Sequence, residues 1–238
     1  MTYLRGIGRS AHAQIARSYF RVVDGFKKTP IDRTLSQALR NLEKPHNQIE
    51  AEQTALLDGI LDFARRNIAA YAKNIGGHGS LDCFEQIPIL EKVELLRRPG
   101  DFISNKGAGR TFAGSTSGST GTSLVFYFDS LHATWTAAAK LRGCSWFGIG
   151  RYDRKLILWG RPLERSTVSR QLMDPIKSAL RNERHFNSYQ EMVERFFQQY
   201  VDCLTEWRPA YVYGYGSSLA RLAQFMENSD LRIDGACK

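Results

Sequence analysis

Ser115-Thr116-Ser117-Gly118-Ser119-Thr120-Gly121-Thr122 is an unbroken run of serine, threonine and glycine. Glycine lets the backbone turn through positive φ and lets a ligand approach the main chain closely. Successive backbone N–H groups in such a run can form an anion-binding nest. The hydroxyls of Ser117, Ser119, Thr120 and Thr122 add further donors, and each hydrogen bond to a charged group is worth about 1.5–3 kcal/mol net. The run therefore reads as a nucleotide-phosphate cradle that needs no cation of its own. A flexible linker has a similar composition but requires no particular order and separates domains. Here the run lies between two strand-like stretches, the second being Leu124-Val125-Phe126-Tyr127-Phe128, rich in β-formers.

Spacing tests separate this reading from other phosphate and nucleophile motifs. A Walker A loop ends in Gly-Lys-Ser/Thr, whereas Gly121 is followed by Thr122 and Ser123. Gly114 and Gly118 have nucleophile-elbow spacing, but the residue between them at the centre is Thr116, not serine. Gly214-Tyr215-Gly216 opens a helix after a strand, yet Leu219 stands where a dinucleotide fingerprint needs its third glycine.

Outward from the loop, the pattern is that of an α/β protein. Periodic apolar residues predict a helix over 10–26, with Ile15, Tyr19, Val22 and Phe26 on one face, and a longer one over 50–73, with Leu57, Ile60/Leu61, Ala64, Ile68 and Tyr71 as its stripe. Ile87-Pro88-Ile89-Leu90 reads as extended, and a short helix from Lys92 to Arg98 stops at Pro99-Gly100. Asp129 offers an N-cap to a helix running through Trp135 and Leu141. Lys155-Leu156-Ile157-Leu158-Trp159 is a compact apolar run of the kind found in buried strands. Ser188-Tyr189-Gln190-Glu191 has the capping-box pattern ahead of a helix carrying Phe196, Tyr200, Leu204 and Trp207, which Pro209 ends. Tyr211–Tyr215 reads as a strand, with Ser217 or Ser218 capping a last helix that carries Leu219, Leu222 and Met226. Strands alternating with helices imply a layered α/β fold with a largely parallel sheet and flanking helices. We divide the chain into an N-terminal helical region, 1–79, and an α/β core, 80–238.

The whole chain is consistent with that class. Its 238 residues are 42% hydrophobic and 24% charged. No run of about 18 apolar residues and no signal-peptide stretch is present, which makes the cytoplasm the expected compartment. Cys83, Cys144, Cys203 and Cys237 form no CxxC pair, so they are expected to be reduced and to serve as small apolar residues, not as zinc ligands. The net charge of +9 is spread along the chain without a dense Lys/Arg block. No specific nucleic-acid partner is expected, and Arg5, Arg9, Arg17 and Arg21 read as a solvated helix face.

Thr116–Thr122 resembles the phosphate-loop signature of the adenylate-forming ligases, which include acyl–coenzyme A synthetases, luciferases and peptide-synthetase adenylation domains. Many members continue with Pro-Lys; here Ser123 and Leu124 take those places. The leucine is similar to the phenylacetate–coenzyme A ligase branch and its relatives in capsular polysaccharide biosynthesis. Ile87-Pro88-Ile89-Leu90-Glu91-Lys92 with Leu95-Leu96-Arg97, then Gly148–Arg154 with Leu158-Trp159-Gly160, then Trp207-Arg208-Pro209 with Tyr213–Leu219, resemble further motifs of that branch in family order. The resemblance implies activation of a small carboxylic acid by ATP and Mg2+, release of pyrophosphate, and transfer of the acyl group to coenzyme A or another nucleophile. It implies that Thr116, Ser117, Gly118, Ser119, Thr120, Gly121 and Thr122 hold the phosphates, and that Trp159, Gly160, Tyr213 and Gly214 line the acyl site. It also implies an incomplete N-terminal domain. The family's adenine and ribose segments, hinge and catalytic lysine have no counterpart before Lys238, so a complementing C-terminal half or an oligomer is expected.

Overall fold

The computed structural model describes residues 11–75, 81–104, 106, 111–116, 123–159, 175–186 and 194–232. They form two compact units. One comprises residues up to Val23 and from Leu141 onward; the other is the intervening stretch Asp24–Lys140.

The first unit is built on a three-stranded sheet, β3 (Lys155–Leu158), β4 (Glu183–Phe186) and β5 (Tyr211–Gly214), in the order β4-β3-β5 with both pairings parallel; helix α7 (175–180) precedes β4. The expected parallel sheet with flanking helices is therefore present. β3 is central, and its alternation decides the packing. Leu156 and Leu158 point to one face and are 0% and 1% exposed. That face also carries Phe186 and Val212, and it packs on Phe197, Tyr200, Val201 and Leu204 from helix α8 (Glu194–Asp202) and the π turn that prolongs it. Leu222 of helix α9 (Gly216–Asn228) completes the core. Arg208 ends the π turn in the left-handed region, φ 50°, and Pro209 prevents the helix from resuming. Ala210 N–H then bonds to the Arg154 carbonyl at 2.8 Å, which seats β5 beside β3. The proposed capping box, Ser188–Glu191, lies outside the described residues.

Two helices of this unit depart from the sequence reading. Helix α1 (Ala11–Lys27) forms where expected, but it buries Ala13 and Ala16, while Ile15, Val22 and Phe26 are exposed. The small side chains win because they let the helix approach Tyr152 closely, with Phe20 at the rim of the contact. Arg17 and Arg151 then lie over the rings of Tyr152 and Phe20 at 5.3 and 4.6 Å; Arg17 and Arg21 are nevertheless exposed, as a solvated helix face requires, and Arg5 and Arg9 lie outside the described residues. Helix α9 begins at Gly216, capped by extended Tyr215 without a side-chain hydrogen bond. Ser217 and Ser218 lie inside its first turn, and Ser218 is buried, so neither is the N-cap.

The second unit is mostly helical: α2 (Ile31–Arg40), α3 (His46–Asn67), α4 (Ala69–Ile75) and α5 (Lys92–Arg97). The expected 50–73 helix is broken once. Ile68 is extended, φ −127° and ψ 113°; its N–H closes α3 on Ala64 and its carbonyl opens α4 through Ala72. The predicted stripe survives, since Leu61 is buried whereas Ile60 is 64% exposed. Strands β1 (Thr111–Ser115) and β2 (Val125–Asp129) form an antiparallel pair separate from the parallel sheet. Helix α6 (Ser130–Ser145) follows directly. Its start is set as the sequence indicates: Asp129 Oδ1 accepts the His132 N–H at 2.8 Å, an N-cap worth about 1 kcal/mol. No helix among the described residues is long and apolar enough to cross a membrane.

Candidate functional site

Two sets of predicted residues meet the structure differently. The Ser/Thr/Gly run connects β1 to β2. The β1–β2 ladder runs from Thr111↔Asp129 to Ser115↔Val125, and Thr116 extends it by one step. Thr116 N–H donates to the Leu124 carbonyl at 3.0 Å, and Leu124 N–H donates to Thr116 Oγ1 at 3.0 Å. The Ser123 hydroxyl donates to the Thr116 carbonyl. Thr116 thus ties the two ends of the run together. Ser117, Gly118, Ser119, Thr120, Gly121 and Thr122 lie outside the described residues. The hairpin that presents them is aromatic on one face: Phe112 stacks on Phe128 at 5.7 Å, and Phe126 covers Gly114.

At the carboxyl ends of the parallel strands, three rings gather. Trp159, the residue after β3, stacks on Tyr213 of β5 with centroids 5.5 Å apart and planes 9° apart. It also stacks on Tyr215 at 4.2 Å and 19°. All three remain partly open, at 39%, 37% and 41% exposure. The carboxyl edge of a parallel sheet is where α/β proteins generally bind ligands. Gly214 lies in the same strand end for a steric reason: a Cβ there would meet the Leu158 carbonyl oxygen at 2.7 Å. The structure therefore brings Trp159, Tyr213 and Gly214 together, while Gly160 lies outside the described residues. Tyr215 was missed in the sequence; its two-residue spacing from Tyr213, which puts both on one side of an extended stretch, was the available signal.

On that same side of the sheet, Lys155 faces Glu183 in register across β3 and β4. Lys155 Nζ lies 2.7 Å from Glu183 Oε1, and His185 Nε2 lies 3.1 Å from Oε2. Burial alone would raise the Glu183 carboxyl, but the hydrogen bond from His185 and the charge and hydrogen bond of Lys155 together bring it down to about 2. A carboxyl lower in the folded chain than its usual 4.5 stabilises fully above that value and loses its contribution as pH falls towards 2. Glu183→Gln should therefore flatten the fall in stability between pH 4.5 and 2, read by thermal unfolding across that range. An unchanged acid limb would remove Glu183 as its source. Cys203, by contrast, is no activated nucleophile: burial pushes its thiol up, outweighing the nearby Arg184.

No protein-family model matches the chain, and no curated protein matches it in sequence. Among solved structures it is similar to 2-hydroxyisobutyryl-CoA ligase in an open conformation, in complex with 2-HIB-AMP and CoA. The TM-score is 0.57 at 17% identity, over 79% of this chain and 45% of the ligase. It is likewise similar to that ligase in complex with 2-HIB-AMP and CoA in the thioesterification state, with TM-score 0.56 and 19% identity, over 79% of this chain and 41% of the ligase. Over the matched residues the chain shares the fold of this ligase. The chain spans less than half the length of the ligases it matches. At these identities the likeness concerns the fold alone: a parallel sheet with flanking helices.

Proposed function

We propose that the chain is the N-terminal part of an AMP-forming ligase. On this reading a small carboxylic acid displaces pyrophosphate from ATP to give an acyl-adenylate, which passes to coenzyme A or another acceptor. The observation that carries the proposal is the Ser/Thr/Gly run held between Thr116 and Leu124 on a hairpin, in a chain with the adenylate-forming fold. Thr116–Thr122 supply donors to the β- and γ-phosphates, where charge grows as pyrophosphate leaves. Among the described residues no cluster of His, Cys, Asp or Glu would hold a metal by itself. Mg2+ would share the charge of the nucleotide's phosphates. Trp159, Gly160, Tyr213 and Gly214 are assigned to the acyl group, at the carboxyl edge of the sheet. Leu124 and the ordered motifs favour the phenylacetate–coenzyme A ligase branch and its polysaccharide-biosynthesis relatives, in the cytoplasm, with 1–79 as a helical region ahead of the core.

Titration calorimetry with pyrophosphate and with Mg-ATP tests the cradle. Pyrophosphate should bind, and Ser119→Ala/Thr120→Ala should weaken it about tenfold or more, since each lost bond to charge costs about 1.5–3 kcal/mol. An unaltered affinity with an unaltered far-UV spectrum would sink the assignment. A second reading is a nucleotide-binding scaffold without turnover of its own. Pyrophosphate exchange dependent on ATP and an acid, measured on the chain joined to its complementing C-terminal half, separates the two, because the scaffold binds pyrophosphate and exchanges none even then.

A further inference from the structure

The outer side of β4 has the properties of a docking edge. In the sheet order β4-β3-β5, β4 has no neighbour beyond it among the described residues. Lys155 N–H bonds to the Asn182 carbonyl at 3.0 Å, and Trp159 N–H bonds to the Phe186 carbonyl at 3.1 Å. Residues along a strand in a parallel ladder turn their backbone groups alternately to one side and the other. Asn182, Arg184 and Phe186 therefore face β3, and the N–H and C=O groups of Glu183 and His185 face outward. All four residues of β4 line a cleft of about 880 Å3, so this open edge is recessed, not flush with the surface.

The walls of the cleft are basic. Lys177 and Arg181, from the helical stretch 175–180 and the turn after it, and Arg184 all line it. None of the three has a carboxylate partner among the described residues, and Arg181 Nε is buried without an acceptor. Arg184 is held in place by its stacking over Trp207 at 4.9 Å and by its contact with Cys203 Sγ at 3.8 Å. The acidic residue of β4, Glu183, is already matched by Lys155. An unpaired strand edge recruits another extended backbone. Positive walls select one that carries negative side chains. A second copy of this chain, at a net charge of +9, is a poor electrostatic match.

From this geometry we infer that the β4 edge binds an extended acidic peptide, which joins the sheet as an added strand. This role does not depend on the ligase chemistry, although the cleft shares Trp159 with the residues assigned to the acyl group. The probe is a fluorescein-labelled octapeptide, Thr-Glu-Val-Glu-Thr-Glu-Val-Glu, acetylated and amidated, followed by anisotropy. Two controls carry lysine in place of glutamate, or proline in place of valine. The acidic peptide should bind, and both controls should bind about tenfold or more weakly, the loss expected when one charge-assisted or backbone contact is removed. Lys177→Gln/Arg181→Gln should weaken the acidic peptide by a similar factor. Hydrogen–deuterium exchange on the unmodified protein should show the Glu183 and His185 amides exchanging freely, then becoming protected when the acidic peptide is added. This arm needs no folded variant. No binding, or equal binding of the proline peptide, overturns the proposal. So does protection of both amides before peptide is added: at all protein concentrations it means another segment of the chain occupies the edge, and rising with concentration it means a second copy does. Displacement of the peptide by millimolar inorganic phosphate with no change in amide protection would identify an anion pocket in its place.

Discussion

Leu156→Ala should lower the unfolding free energy by about 2–5 kcal/mol, the range for truncating a fully buried leucine. Leu156 is 0% exposed and sits in the middle of the central strand, where strands on both sides hold the backbone in register. Helices α8 and α9 cover it, so the space left by the lost atoms is walled by elements that are themselves pinned by the sheet. Such a site relaxes poorly, which places the cost towards the upper part of the range. Urea unfolding followed by far-UV circular dichroism gives the number. Leu56→Ala is the matched control, because Leu56 on α3 is 69% exposed and should change stability by less than about 0.5 kcal/mol. Equal effects of the two would mean that the described packing of β3 is wrong.

Gly214→Ala should be the next most damaging single change, at about 1–3 kcal/mol for a forced contact in a packed interior. The added Cβ meets a backbone carbonyl oxygen at 2.7 Å and the Leu158 Cβ at 2.8 Å. Neither can rotate away, so β5 must move off β3, carrying Tyr213 and Tyr215 away from Trp159. A fall in thermal midpoint should therefore come with a loss of near-ultraviolet dichroism from the stacked rings. Gly114→Ala provides the contrast. Its Cβ would meet the tip of the Phe126 ring at 2.7 Å, and a partly exposed ring can turn aside. If Gly114→Ala proved the costlier of the two, the close β3–β5 approach would not be what requires glycine at 214.

The difference between what could and could not be read in the sequence has a physical pattern. Local devices were legible. Asp129 caps α6 through a bond only three residues away, and the apolar run 155–159 forms the central strand, with Leu156 and Leu158 in the core. The tertiary choice of helix face was not. On α1 the large residues Ile15, Val22 and Phe26 carry the periodic signal, but contact with Tyr152 needed the small Ala13 and Ala16. The break at Ile68 had no proline or glycine to announce it. At the carboxyl edge, the sequence offered Trp159 and Tyr213 as separate residues of separate strands; only the β3–β5 register makes them one surface. The pairing of Lys155, Glu183 and His185 was hidden for the same reason.

The discontinuous first unit also sets an order of events during synthesis. Helix α1 leaves the ribosome long before the Tyr152 against which Ala13, Ala16 and Phe20 pack. Every residue from Asp24 to Lys140 emerges in between, enough to complete the other unit before α1 has anything to dock on. Made well before its partner, α1 is therefore among the last parts of its unit to be fixed, and closing so long a stretch makes its docking a non-local step.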